Sequence, residues 1–103
     1  MDSLKCLSRS EAGDLARQCV ENGFVVITRH AKQRLIERGF TTLDVERVLA
    51  KGCVYKAPEF DIKFREWKYR LEGKTVDDEE LILVICFKPQ PAAFVITVFP
   101  DDR

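Results

Sequence analysis

The apolar residues of this chain change period near its middle, and that change restricts the fold more than any other feature. In the first half they recur at three- and four-residue intervals. Ala12, Leu15, Ala16, Cys19 and Val20 share one helical face, Ala31 and Leu35 a second, and Val45, Val48 and Leu49 a third. In the second half residues 60–71 alternate, residues 81–87 are continuously apolar and residues 92–99 nearly so, the spacing of strands. Helices followed by strands predict an α+β protein, with three N-terminal helices packed on a four-stranded antiparallel sheet.

Local signals agree with that division. Ser8-x-x-Glu11 is a capping box that opens a first helix, and Gly23 follows its last apolar residue as a stop. Residues 24–27 are a short apolar run, either a brief strand or an extended connector. Thr28 can cap a second helix that ends at Gly39, and Thr41-x-x-Asp44 opens a third that Gly52 closes. Residues 53–57 read as a strand stopped at Pro58, first of a four-stranded meander. Residues 81–87, apolar on both faces, suit a central strand, and the acidic stretch 77–80 suits the hairpin before it. Trp67, Tyr69 and Leu71 should point one way while Glu66, Lys68 and Arg70 point the other. Ile62 and Phe64 break that parity, which predicts a bulge or the true strand start near Arg65.

The 103 residues, 46% hydrophobic and 33% charged, are enough for one domain with a core of its own. No apolar run approaches the roughly 18 to 20 residues of a membrane span, and the N-terminal stretch lacks the apolar centre of a signal peptide, so the expectation is a cytoplasmic protein that does not meet a membrane. Cys6, Cys19, Cys53 and Cys86 form no Cys-x-x-Cys pair and read as reduced, structural thiols. With a single histidine and no ligand-spaced pair, no metal and no cofactor is expected. A Gly-rich phosphate loop is missing too, and a cysteine enzyme would have to bring Cys53 or Cys86 to His30 across the fold.

Seventeen basic residues balance seventeen acidic ones, so bulk charge does not point to nucleic acid. Its distribution is uneven. Residues 29–38 carry Arg29, Lys32, Arg34 and Arg38 against Glu37 alone, and residues 51–74 carry seven Lys or Arg against Glu59, Asp61, Glu66 and Glu72. If those segments meet, they form a basic face on a neutral protein.

On the second helix, His30, Arg34 and Arg38 follow one another at spacings of four and fall within an arc of roughly 80°. The two arginines repel by about 0.2 to 0.5 kcal/mol, which Glu37 relieves only in part. Such a ridge suits an anion. His30 is the only side chain here whose ordinary pKa lies near neutrality, so it can move a proton in RNA cleavage, while Arg34 and Arg38 fork onto phosphate oxygens and Glu37 orients His30 or carries the second proton. Lys63, Arg65, Lys68, Arg70 and Lys88 are candidate RNA-backbone contacts; cations interleaved with aromatic residues suit single-stranded RNA. The plainer alternative has His30 satisfying backbone groups at the helix start and the arginines solvated or paired with acids.

The run 28–49, with a strand after it and Val-Ile-Thr-Val-Phe at 95–99, resembles small bacterial DUF-series proteins marked by His-Ala-x-x-Arg-x-x-Glu-Arg-Gly. Those are grouped with the RelE/ParE toxin superfamily, near the BrnT and MqsR toxins. The resemblance implies one RelE-like domain over residues 1–103, with residues 1–24 as a helical extension. It also implies a type II toxin–antitoxin system, a cognate antitoxin as partner, and endoribonuclease activity on mRNA, which the lack of ligand-spaced residues makes a metal-independent one. The ribosome as a second partner and a homodimer both stay open. His30, Arg34, Glu37, Arg38 and Gly39 match the motif, with Arg70 and Thr97 as weaker matches on the strands. Relatives often carry tyrosine where Phe99 stands, and RelE-type enzymes place their chemistry mainly on the sheet rather than on a helix. The alternatives are a non-catalytic RNA- or protein-binding module and a ParE-type toxin that poisons gyrase.

Overall fold

The computed structural model describes residues 6–89 and 91–100. Three helices come first: α1 (Arg9–Asn22), α2 (Arg29–Arg38) and α3 (Thr42–Lys51). Each begins where a side chain accepts from an otherwise orphaned backbone N–H. Ser8 accepts from Glu11 N, Thr28 from Ala31 N and Thr41 from Asp44 N, and the Ser8 and Thr41 boxes are completed by the Glu11 and Asp44 carboxylates. Gly39 ends α2 in the left-handed region at φ 77°, which a Cβ would penalise. Gly52 ends α3 for a different reason. Its backbone is extended, but a Cβ there would lie 2.6 Å from Val48 O and 2.8 Å from Glu72 O, so α3 can meet the sheet only without one.

Six strands form: β1 (Val25–Ile27), β2 (Cys53–Val54), β3 (Glu59–Asp61), β4 (Glu66–Lys74), β5 (Glu80–Lys88) and β6 (Ala92–Pro100). Their order is β1-β6-β5-β4-β2, with β3 also paired to β4. The expected four-stranded antiparallel meander is therefore corrected to a mixed sheet of six strands. Of the two readings of residues 24–27 the brief strand is the one formed, β1, parallel to β6 with Val26 opposite Phe94, and it joins the sheet as a strand outside the expected meander. The expected strand 53–57 is two residues long and a separate β3 begins after Pro58, which has no N–H for a ladder. Near Arg65 the chain turns, with Arg65 itself at φ 56°, and β4 starts at Glu66 as one of the two readings required. The bulge lies elsewhere. Val84 pairs with Thr97 and Ile85 with Val95, so Ile96 is the extra residue of β6.

Side-chain parity then divides the sheet. Tyr69 and Leu71 of β4, Leu81, Leu83 and Ile85 of β5, and Val95 and Val98 of β6 join Ala12 and Ala16 of α1, Ala31 and Leu35 of α2, and Val45, Val48 and Leu49 of α3 in one buried cluster. All three helices thus cover the same face. Each fully buried Leu or Val contributes about 1.5 to 3 kcal/mol there. The residues that point the other way, in the rows Arg70–Val84–Thr97 and Glu72–Ile82–Phe99, lie outside that cluster and form an open face. A polar clasp closes one end of the core. The buried Asp44 carboxylate accepts from Thr41 N and from Val76 N, tying α3 to the β4–β5 turn, and buried Thr75 accepts through its hydroxyl from Asp77 N and Glu79 N.

Candidate functional site

Helix α2 is stitched to the bulge of β6. The Thr28 N–H donates to Val95 O at 3.1 Å, and its hydroxyl lies 3.0 Å and 3.1 Å from the carbonyl oxygens of Val95 and Ile96. The extra residue of the bulge supplies one of these acceptors, so the irregularity in β6 is where α2 starts. From there α2 runs beside β6 toward Pro100, which shares a cavity with Glu37 and Arg38.

The sequence-predicted ridge is present but its members have different surroundings. His30 is exposed in the first turn of α2 and has no hydrogen-bond or ion-pair partner among the described residues. Glu37 does not orient it. The Glu37 carboxylate lies 3.6 Å from an Arg34 terminal nitrogen and 3.3 Å from the Gln33 amide. Arg38 is exposed at the rim of an open cavity of about 600 Å³ whose other charged members are Glu37, Glu79 and Glu80. Three carboxylates around one guanidinium make that cavity a poor place for a phosphate.

Arg34 stands apart. Its side chain is 37% exposed, yet its Nε is buried and has no hydrogen-bond partner. Arg70 on β4 shares that condition, and among the described residues these two Nε atoms are the buried side-chain nitrogens or oxygens without a partner. Arg70 projects from the open face and crosses β5, so that its guanidinium carbon lies 5.2 Å from the centre of the Phe99 ring on β6. A guanidinium has five donors and no acceptor, and an unpaired buried N–H costs about 1 to 3 kcal/mol. Two such groups, one on the helix beside β6 and one reaching over β6, are donors waiting for an acceptor.

The other basic candidates divide into two kinds. Lys68 is held by Asp61 at 2.6 Å and Lys88 by Glu66 at 2.6 Å. Hydrogen bonding to Lys68 holds the Asp61 carboxyl below the usual range, and the bond to Glu66 pushes the Lys88 ammonium up. Both lysines are therefore already neutralised by acids from neighbouring strands. Lys63 and Arg65 are exposed on the 62–65 turn with no acidic partner among the described residues, and Lys63 lies 5.3 Å from the Phe64 ring.

Sequence reasoning missed the acids that occupy Lys68 and Lys88, because each pair is brought together by strand register, across the β3–β4 hairpin for Asp61 and Lys68 and between β4 and β5 for Glu66 and Lys88. It also missed the environment of Arg70, whose sequence signals were its outward parity and a weak match to the resembled family. Cys19 and Cys86 are buried and Cys6 and Cys53 exposed, all four as free thiols. Among the described residues no group of three or more His, Cys, Asp or Glu side chains is placed to hold a metal ion, and no helix is long and apolar enough to cross a membrane.

The profile of a family described as a domain of unknown function, DUF4258, matches residues 27–100, from the end of β1 to the end of β6. The chain belongs to the DUF4258 family. The matched region takes in α2, its stitch to the bulge, and both arginines with a buried Nε that lacks a hydrogen-bond partner among the described residues, whereas α1 lies outside it. No match to a curated protein or to a solved structure accompanies it. The DUF4258 region thus contains every candidate residue considered above.

Proposed function

We propose that this DUF4258 protein is a cytoplasmic RNA-cleaving toxin of a bacterial type II toxin–antitoxin pair, with a RelE-like fold related to BrnT and MqsR, acting on mRNA without a metal. The observation that carries the reading is the pair of buried, unpartnered Nε atoms on Arg34 and Arg70. A phosphodiester oxygen is the acceptor that a guanidinium edge fits best. In this reading Arg34 grips the scissile phosphate, His30, one turn before it, moves a proton, and Arg70 on the open face holds a neighbouring phosphate of the same strand. His30 takes the 2′-hydroxyl proton as the 2′-oxygen attacks phosphorus, the bond to the 5′-oxygen breaks, and that oxygen takes a proton from water, so that a 2′,3′-cyclic phosphate and a 5′-hydroxyl result. Glu37 tempers the Arg34 charge, and Arg38 among its carboxylates is peripheral. Resemblance of the His-Ala-x-x-Arg-x-x-Glu-Arg-Gly run to toxin relatives supports the same assignment.

Incubating the chain with RNA in EDTA tests this. Cleavage should persist in EDTA and fall about 100-fold or more for His30→Ala, the usual scale of a general acid or base, with comparable losses for Arg34→Ala and Arg70→Ala. Equal cleavage by parent and variants ends the assignment. A second reading is a non-catalytic RNA- or protein-binding module, favoured by the fact that Glu37 turns to Arg34 and Gln33 and leaves His30 without a carboxylate beside it. RNA bound and left intact by the parent would select that reading.

A further inference from the structure

The phenylalanine rings Phe64, Phe94 and Phe99 each have a cation nearby. Lys63 and Lys68 lie 5.3 Å and 5.8 Å from Phe64, Lys88 lies 5.7 Å from Phe94, and Arg70 lies 5.2 Å from Phe99. Register places the rings on one side of the sheet. Phe94 is opposite Cys86 and Phe99 opposite Ile82, both in the parity of the open face. Lys68 shares that parity on β4, and its ammonium over Phe64 brings the 62–65 turn to the same side.

Phe64 is 61% exposed, and Phe94 and Phe99 are half-buried, so their outer faces are accessible. Lys68 and Lys88 are tied to acids, whereas Lys63, Arg65 and Arg70 have no acidic partner among the described residues. Rings at intervals with unspent positive charge between them match a polymer with planar groups and regular negative charge. Duplex RNA hides its base faces, whereas an unpaired strand offers them.

We infer that the open face is a track for single-stranded RNA, with unpaired bases stacked on Phe99, Phe94 and Phe64 and phosphates held by Arg70, Lys63 and Arg65. Phe94 and Phe99 are about 15 Å apart along β6, a distance that a stacked strand crosses in about four or five nucleotides. The hairpin turn carrying Phe64 is then a distal subsite, remote from the helix that bears His30. This rests on RNA being the ligand of the open face, but it requires no cleavage.

Equilibrium binding of the full chain, with His30→Ala to prevent any cutting, tests it. The probes are a structureless RNA of about twelve nucleotides, its duplex, and a sugar–phosphate strand of equal length lacking internal bases. The single strand should bind best, with Phe64→Ala and Phe94→Leu each weakening it about 5- to 150-fold and Phe64→Trp restoring affinity. The base-free strand should bind weakly and be indifferent to Phe64→Ala. Equal affinity for all three probes, or no loss in Phe64→Ala and Phe94→Leu with folding intact, overturns the track. Cleavage by the parent is scored separately. Base-dependent binding without scission keeps the track and removes the nuclease, while scission without base dependence does the reverse.

Discussion

Arg70 on β4 reaches across β5 to place its guanidinium 5.2 Å from the centre of the Phe99 ring on β6, while its own Nε is buried and has no hydrogen-bond partner among the described residues. The ring contact is favourable by about 0.5 to 1 kcal/mol at an accessible site, less than the cost of the orphaned N–H. Arg70 is held in a position that the free protein does not reward.

Replacing it should therefore stabilise the chain. Arg70→Met keeps the apolar stem over the sheet and removes the buried donor, as Arg34→Met does on α2. Each should raise unfolding stability by about 1 kcal/mol, seen as several degrees in Tm, while RNA affinity falls at least tenfold. Thermal melts and binding titrations of the same preparations check both halves. A variant that loses stability and affinity together would show a structural arginine instead.

The unpaired cations and the paired ones should differ in salt dependence. Lys63→Ala and Arg65→Ala should each lower the slope of log affinity against log salt by about one, because each removes a phosphate contact. Lys88→Ala should change it much less, since Glu66 already neutralises that ammonium at 2.6 Å. Affinity measured across a salt series distinguishes them.

Asp44 is the residue on which the end of the core should depend most. Its carboxylate serves Thr41 N and Val76 N at once, and Asp44→Ala leaves both donors without that acceptor where α3 meets the β4–β5 turn. A loss of about 2 to 3 kcal/mol is expected in urea unfolding, with Asp44→Asn losing less because its amide oxygen can still accept.

These sites were legible in sequence to different degrees, and the range of the interaction explains why. Ser8 with Glu11, Thr41 with Asp44, and the left-handed ends at Gly23 and Gly39 depend only on near neighbours, so the helices could be placed from sequence. For β1 the sequence left a brief strand and an extended connector both open, since the partner that decides it, Ala93 to Val95, lies almost seventy residues away. The ridge of His30, Arg34 and Arg38 follows from helical spacing, but whether Glu37 turns to His30 or to Arg34 is decided by rotamers. Outward parity identified Arg70 and Lys68 as surface candidates, with Lys88 a further cation able to meet RNA. Which of them is free depends on the β3–β4 and β4–β5 registers, which bring Asp61 to Lys68 and Glu66 to Lys88.

The cysteines offer a last test of how the open face is built. Cys86 lies on that face, yet it is fully buried beneath its neighbours, and burial first, then the nearby Glu66 carboxylate, pushes its thiol up to about 12. Cys6 and Cys53 are exposed and should react quickly with an alkylating reagent, whereas Cys19 and Cys86 should react only as the protein opens. The same burial predicts a pH dependence of stability. In the unfolded chain the thiol ionises near its ordinary value of 9.0, while in the fold it keeps its proton to about 12, so the unfolded state holds fewer protons through that window. The Cys86 contribution to stability is complete below pH 9 and is lost as pH rises toward 12. Lysines and tyrosines titrate there as well, so the measured quantity is the difference between the parent and Cys86→Ala. From pH 9 upward the parent should lose stability faster than the variant, by up to about 1.4 kcal/mol per pH step. Parallel curves would mean that Glu66 and Lys88 do not seal the thiol from water.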